Sequence, residues 1–499
     1  MPEKFKALIV LLIIIQIVFS LLKPVYKELL GIVEFNNIKY VVFIVNIISF
    51  GVGNYYIFVL FIAALSVFQS KNPKDRVLIY LSLVLLLPIL KYKIPGILGI
   101  NNMGDLTYPR LLVIFILIPT YFYIKKSSQY KSFFLAPSDK YVLGFILLKF
   151  LLAFHEISFT VALRSLFYYW LDIFIPYFVV SRSIRNIGEF KQCIIVILTA
   201  LFIMANVAIF ESFKYWHLFS GMERGLIVVN KGSDYATRGD LLRATASFSG
   251  PLVLGFMMNI GIACLLILQD SIKNKRILFL IFIIFVSGLI ATYSRGAWLG
   301  CIVLLTTYSL QGKNKFKKLI KGLSLLIVIS MAIAVSPLGN KLYAMLPFSD
   351  NGEKHSVSTI DYRERLLEKS LIVIYKKPFF GDINFMDDKD MQSLIQGQGI
   401  IDMVNSYLHI ALASGVVGLY LFIMIFYVNF RGLTKLAKIY NYNNNLDTII
   451  KGLISIIVSM AVIIATTSLV GRVPTMLWIF AALVASLIMM NKNTNEQLG

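Results

Sequence analysis

Charge is scarce in this chain: 15% of its 499 residues are Asp, Glu, Lys or Arg, where a soluble domain carries about a quarter. That shortage removes the ordinary conversion of length into soluble domains. Cysteine is scarce too. Cys193, Cys264 and Cys301 all lie in or beside apolar runs and share no metal-ligand spacing. Neither a disulfide framework nor a cysteine metal site can be argued from them. Acidic residues number 26 against 48 basic ones, for a net charge of +22. A basic excess can mark a nucleic-acid binder, but no soluble basic domain exists here to hold a duplex. Most Lys and Arg sit in short loops between apolar runs, the distribution that membrane topology and anionic lipid produce. No internal repeat and no low-complexity tract interrupts the pattern.

What is abundant is hydrocarbon. The chain is 58% hydrophobic, in runs such as ALIVLLIIIQIVFSLL and LFLIFIIFVSGLIATY. Such runs cross or nearly cross a hydrocarbon core of about 30 Å. They predict an all-α polytopic membrane protein of about fourteen spans. The expected spans lie near 5–22, 40–68, 77–90, 111–124, 141–157, 166–180, 193–212, 250–270, 277–293, 297–311, 320–336, 406–430, 452–470 and 475–490. The second is long for one crossing, and Gly51 and Gly53 are positioned to break or tilt it. The first follows a basic MPEKFK, but Lys-Pro stands where a small-residue cleavage site would be, so it reads as a retained span.

Placing the N-terminus in the cytoplasm puts KNPKDR, KKSSQYK, SRSIRNIGEFK, KNKR, KNKFKKLIK and RGLTKLAK on that side, as the positive-inside rule asks. An even span count returns the C-terminus there as well. Four regions follow: an N-terminal bundle over 1–212, spans with outward arginine-bearing hairpins over 213–336, a large outward loop over 337–403, and C-terminal spans over 404–499. The loop is the one region long and polar enough to form a small folded element. Within it, Ser358-Thr359-Ile360-Asp361 supplies N-cap chemistry. Leu366, Leu367, Leu371 and Ile374 then recur at helical spacing up to Pro378, predicting an amphipathic helix of about four turns.

Three outward stretches could carry chemistry. LLRATASFSGPLVLG holds Arg243. ATYSRGAWLG turns tightly at Ser294-Arg295-Gly296. An arginine near hydrocarbon usually has a partner, the plain alternative being snorkelling to headgroups. GQGIIDMVNSYLHIALASGVVGL carries Gly397 and Gly399, which permit close backbone approach. It also places Asp402, Asn405 and Tyr407 at the membrane edge, and Gly415 with Gly418 on one helix face for close packing. Asp387-Asp388-Lys389-Asp390 has the look of a metal-binding acidic triplet, but a solvated acidic turn explains it equally, and no metal is assigned. His155-Glu156 and His217 stand near span ends with no evident partner.

The ordered set RATASFSGP, TYSRGAWLG, a long loop with YRERLLEKSLIVIYKKPFFG, and VNSYLHIALASGVVGL resembles the O-antigen ligase/polymerase superfamily. These are membrane glycosyltransferases of the GT-C type acting on lipid-diphosphate-linked glycans. The likeness covers about residues 240–430. In the ligase branch a histidine precedes Asn, Ser or Gln, followed after nine residues by Gly-x-x-Gly. Here Asn405, Gly415 and Gly418 match, but Val404 stands in the place of the histidine held to be catalytic. This form is more similar to the Wzy-type polymerases of O-antigen and exopolysaccharide.

The resemblance implies transfer of a glycan from polyprenyl diphosphate to a sugar hydroxyl on the outer face of the bacterial cytoplasmic membrane. Diphosphate is a good leaving group, so the site mainly needs cations. Arginine suits this because its planar fork binds phosphate oxygens bidentately and stays charged. The resemblance assigns Arg243 and Arg295 to the diphosphate, with Arg363, Arg365 and Arg472 as further candidates. With Val404 in the histidine's place, the acceptor's base is sought among Asp402, Glu364 and His409, with Asn405 beside them. A lone histidine at 409 is more commonly a packing residue. Implied partners are the lipid-linked oligosaccharide, an acceptor glycan, membrane lipid, and flippase and chain-length regulator proteins. No cofactor and no nucleic acid are implied. A ligase moving finished glycan to lipid A core is the second reading. A transporter or flippase is a third, though repeated halves and mid-membrane ionisable groups are not evident.

Overall fold

The computed structural model describes residues 2–52, 54–68, 72–95, 102–127, 132–155, 158–223, 237–238, 241–248, 250–311, 350–395, 399–440 and 444–496, with 102–103, 127, 221, 223, 238, 350–360, 444–445 and 492–496 as backbone only. The expected span at 320–336, Gly397 and Glu156 lie outside the described residues.

The chain is a helical bundle and a multi-pass membrane protein. Its helices are α1 (Glu3–Leu29), α2 (Ile32–Gly51), α3 (Tyr55–Phe68) and α4 (Pro73–Leu86). After α4 comes a short antiparallel hairpin, β1 (Lys91–Pro95) with β2 (Asn102–Thr107), pairing Lys91 with Thr107. Then follow α5 (Tyr108–Lys126), α6 (Asp139–Ala153), α7 (Phe159–Ser183) and α8 (Ile187–Lys214). The rest are α9 (Pro251–Leu268), α10 (Lys275–Ile290), α11 (Arg295–Leu310), α12 (Asp350–Lys376), α13 (Ser406–Ile439), α14 (Asn444–Ile464) and α15 (Val473–Glu496). Among the described residues, nine helices are long and apolar enough to cross a membrane, and α3 is a shorter apolar helix. The expected fourteen is therefore not reached on that measure.

Asparagine starts several of these helices. The side chains of Asn72, Asn186 and Asn274 accept the N–H groups of Lys74, Glu189 and Arg276, satisfying donors that the first helical turn leaves open. Helices α8, α9 and α15 form the centre, with most of their residues buried, whereas most residues of α1 and α2 are not. The inner three are apolar all round, and the outer two present a face to lipid.

The expected second span, 40–68, is instead two helices. Val52 is extended, and the Asn54 side chain accepts the Tyr56 N–H at 2.9 Å, so a helix stops and another starts. The direction of the chain reverses there. Phe50 packs on Phe219 with ring centroids 5.6 Å apart, and Tyr55 stacks on Tyr92 at 4.5 Å. At the far end of α3, Arg76 reaches the Ser66 carbonyl. The end of α1 sits with the start of α8: Gln192 donates to the Leu29 carbonyl at 3.0 Å, and Glu28 pairs with Lys273 at 2.8 Å. Three passes thus precede residue 73 where two were expected. The start of α1 accordingly lies at the end of the bundle that carries Phe219, not opposite it as the topology above had placed it.

Candidate active site

The site is built where four segments meet at that same end. The first two are joined as a small backbone pair. Ala244 donates its N–H to the Ala291 carbonyl at 3.0 Å, and Arg243 Nε donates to the Thr292 carbonyl at 3.1 Å. Arg243 is therefore anchored three residues from Arg295, which opens α11. The expected hairpin at 294–296 is present between α10 and α11. Ala246 (φ 49°) and Tyr293 (φ 47°) are in the left-handed region without being glycine. Such residues cost about 1–3 kcal/mol each and persist where the surroundings over-determine them.

What over-determines Ala246 is Glu211, a fully buried carboxylate near the end of α8. It accepts the N–H groups of Leu218 at 3.0 Å and of Thr245 and Ala246 at 2.9 Å each. His217 Nδ1 lies 3.3 Å from the same carboxylate and 3.2 Å from Thr245 Oγ1. His217 therefore has partners that spacing did not reveal.

The third segment is the folded part of the large loop. α12 runs from Asp350 and ends before Pro378 as expected, but it begins earlier than the 358–361 cap predicted. Tyr362, Leu366 and Val373 bury one side of it against Phe385, Met391, Leu394 and Met403, a second hydrophobic core separate from the bundle's. Ile374 packs against that core, whereas Leu367 and Leu371 are exposed. Val404 also packs against it, so the position of the ligase histidine here serves the loop's own core.

This small unit is fixed to α13 by backbone. Helix α13 breaks at Gly415 (φ 62°, ψ −169°). The turn Pro378–Asp382 fills the break: Asp382 N–H donates to the Leu412 carbonyl at 2.8 Å, and Val416 N–H donates to the Pro378 carbonyl at 2.8 Å. The Gly-x-x-Gly pair thus does more than pack helices, since Gly415 opens the helix and Gly418 sits against Ser414 and Leu148. Gly399 (φ 72°) has open space around it, so it serves a turn and not the close approach expected of it.

The fourth segment, Thr466–Ser468, joins the others. Arg363 Nη2 donates to the Thr466 carbonyl at 3.4 Å, and Gly296, next to Arg295, abuts the Thr466 side chain. Ser406 donates to the Thr467 carbonyl at 2.6 Å, and Ser468 Oγ donates to Asp402 Oδ1 at 3.4 Å. Tyr362 Oη holds the Asp402 backbone from both sides, accepting its N–H and donating to its carbonyl at 3.0 Å each. Burial raises the Asp402 carboxyl above its ordinary value, against the opposing pull of Ser468 and the Arg363 charge. Arg363 is held below its ordinary value, first by desolvation and then by the like charge of Arg295, with Asp402 opposing. Arg295, Arg363 and Asp402 therefore share one electrostatic site. Among the described residues, the Arg295 guanidinium has neither an ion pair nor a hydrogen bond in the protein.

Other candidates fall elsewhere. Glu364 and Arg365 are exposed on α12. Asn405 caps α13, its side chain accepting the Tyr407 and Leu408 N–H groups at 3.0 and 3.3 Å. His409 lies edge-on to Phe385 at 5.6 Å, a packing position. Arg472 is fully buried and donates to the Leu87 carbonyl. The acidic turn is neutralised from within: Lys376 lies 2.8 Å from both Asp388 and Asp390.

Sequence reading missed Glu211, Tyr362 and Thr466–Ser468. Glu211 gave one signal, a lone carboxylate at the end of an apolar run, where charge is costly without partners.

A family model described as O-antigen ligase matches residues 278–423, from α10 through the break in α13. An O-antigen polymerase of Salmonella muenchen is 22% identical over 281 residues, covering 54% of this chain and 67% of the relative. The matched segment carries Arg295, Arg363, Asp402 and the Gly415 break. Both matches bear out the resemblance to the O-antigen ligase/polymerase superfamily.

Proposed function

We propose that this protein is a membrane glycosyltransferase that polymerises polyprenyl-diphosphate-linked oligosaccharide repeat units on the outer face of the bacterial cytoplasmic membrane. Similarity to the O-antigen ligase/polymerase superfamily supports a role in O-antigen assembly by glycosyl transfer. The observation that carries the finer reading is the meeting of Arg295, Arg363 and Asp402 around Thr466–Ser468. In the reaction, an acceptor hydroxyl oxygen bonds to the donor's anomeric carbon as the bond from that carbon to phosphate oxygen breaks. The departing diphosphate gathers negative charge, which Arg295 and Arg363 stabilise, with Arg243 at the same corner. Asp402 takes the hydroxyl proton. Its raised affinity for protons makes it a stronger base than a surface carboxylate, and Tyr362 fixes its backbone.

The same reading carries a topology. The basic loops at the other end of the bundle face the cytoplasm, and the end bearing the site faces outward. On that reading the start of α1 is outside and the end of α15 inside. The Val404 packing supports polymerase over ligase, because the side chain contributes to the loop core and no histidine replaces it. The ligase reading retains the description of the family model matching 278–423. Deleting the gene and examining the glycan separates the two. Single repeat units attached to the surface mark a lost polymerase, and long chains stranded on the lipid carrier mark a lost ligase. Normal glycan in both respects overturns the enzyme reading.

A further inference from the structure

An apolar groove of about 300 Å³ runs between α13 and α14. One wall is an aromatic ladder on α13, with Phe422, Phe426 and Phe430 four residues apart on one helix face. The other wall is lined by small and branched side chains of α14, among them Val458 and Ala461. Tyr407 closes the end nearest the site, its hydroxyl donating to the Ala461 carbonyl at 2.9 Å. Both walls lead directly into the charged cluster. Asn405 and Asp402 precede Tyr407 on one side, and Thr466 follows Ile464, the last wall residue, on the other. The groove is half open, with Ile423 and Tyr427 exposed on its rim.

An apolar slot in a membrane-spanning layer that ends under two arginines fits an amphiphile with a dianionic head. We propose that the groove holds the first isoprene units of the polyprenyl carrier while its diphosphate meets Arg295 and Arg363. This rests on the lipid-diphosphate reading above and adds the place of the tail. The volume is at the lower end for a ligand pocket, so only the head-proximal part of a long tail enters and the remainder stays in the bilayer. Holding that part fixes the diphosphate's height relative to Asp402, which lipid diffusing freely would not do.

The test uses the full chain in nanodiscs, with one glycan diphosphate carried on a long polyprenol, on a two-isoprene alcohol, or on a straight saturated chain of the long carrier's length. Val458→Trp and Ala461→Trp fill the groove. The expected result is a rise in KM of about tenfold or more for the long polyprenyl donor, with the two-isoprene donor changed much less. Wild-type protein is also expected to favour the polyprenyl over the saturated carrier. Equal losses on both polyprenyl lengths, or no loss on either, overturn the tail site. Equal use of the saturated carrier reduces the groove to a general acyl slot and overturns the isoprenoid assignment. Cysteine pairs joining Val458 to residues 320–336 in full yield without loss of turnover assign the groove to the protein's own chain and overturn it as well. Failure of wild-type protein to bind or turn over any of the three donors overturns the lipid-diphosphate reading itself, a different outcome from the others.

Discussion

Gly381 and Gly415 face each other backbone to backbone, both in the left-handed region at φ 67° and 62°. A Cβ on Gly381 would lie 2.4 Å from the Leu412 carbonyl oxygen, and one on Gly415 would lie 2.2 Å from the Phe379 carbonyl. This contact locks the outer unit onto a membrane helix without a side chain. Gly415→Ala and Gly381→Ala are each expected to cost about 2–5 kcal/mol, from backbone strain plus overpacking against main chain that cannot step aside. Limited proteolysis of the 350–403 segment in detergent, compared with Gly399→Ala as the control, checks this. A variant at Gly415 as resistant as wild type would remove the docking from the account.

Asp402 makes the pH dependence specific. Its carboxyl is raised by burial, so as a base it is lost when pH falls through a value above the ordinary Asp range of about 3.9. The acidic limb of kcat/KM is expected there. Arg363 and Ser468 both hold that value down, so Arg363→Gln and Ser468→Ala should each move the limb to higher pH. Asp402→Asn and Asp402→Ala should abolish transfer at every pH. The linked stability has its own sign: the folded state binds the proton more tightly than the unfolded chain, so this group's contribution falls as pH rises through its folded value. A pH–rate series on the four variants tests the assignment, and an unmoved limb in Arg363→Gln would detach Asp402 from the chemistry.

Much of this arrangement was legible in the sequence because membrane solvation leaves so strong a mark. The apolar runs placed most spans within a few residues, since a helix must satisfy its own backbone in lipid. Ser294-Arg295-Gly296 announced its turn, and Pro378 announced the end of α12. The split between α2 and α3 was foreshadowed by Gly51 and Gly53, but reversal depends on contacts such as Phe50 with Phe219, which periodicity does not contain. The hub at Thr466–Ser468 was silent for a similar reason. It acts largely through carbonyl oxygens, and any residue supplies those. Tyr362 was silent as well, because its role is a hydroxyl bonded to the Asp402 backbone, a contact that spacing does not contain.

The acidic turn yields a plain prediction. Lys376 holds Asp388 below the ordinary carboxylate range by hydrogen bonding and charge, and pairs with Asp390 as well. A cation already occupies the geometry that a divalent metal would need. Transfer is therefore expected to be unchanged by chelator. Loss of activity with EDTA and recovery with an added divalent ion would reassign 387–390 as a metal site.

Glu211 offers the sharpest test of how the site is held. Its carboxylate accepts three backbone N–H groups, two of them from the segment that follows Arg243. Removing it leaves buried donors unmet at about 1–3 kcal/mol each. Glu211→Gln is no remedy, because its amide nitrogen would turn a donor toward other donors. Both Glu211→Ala and Glu211→Gln should lower thermal stability in detergent. They should also reduce transfer to nearly the level of Arg243→Gln, mainly through a raised KM for the lipid-linked donor, since what is lost is the placement of a cation. The decisive measurement is the double variant. If Glu211 acts only by placing Arg243, then Glu211→Ala with Arg243→Gln should be hardly worse than Arg243→Gln alone, a coupling of the kind expected between residues that share one network. Fully additive losses would mean that Glu211 supports the bundle and the arginine acts independently of it.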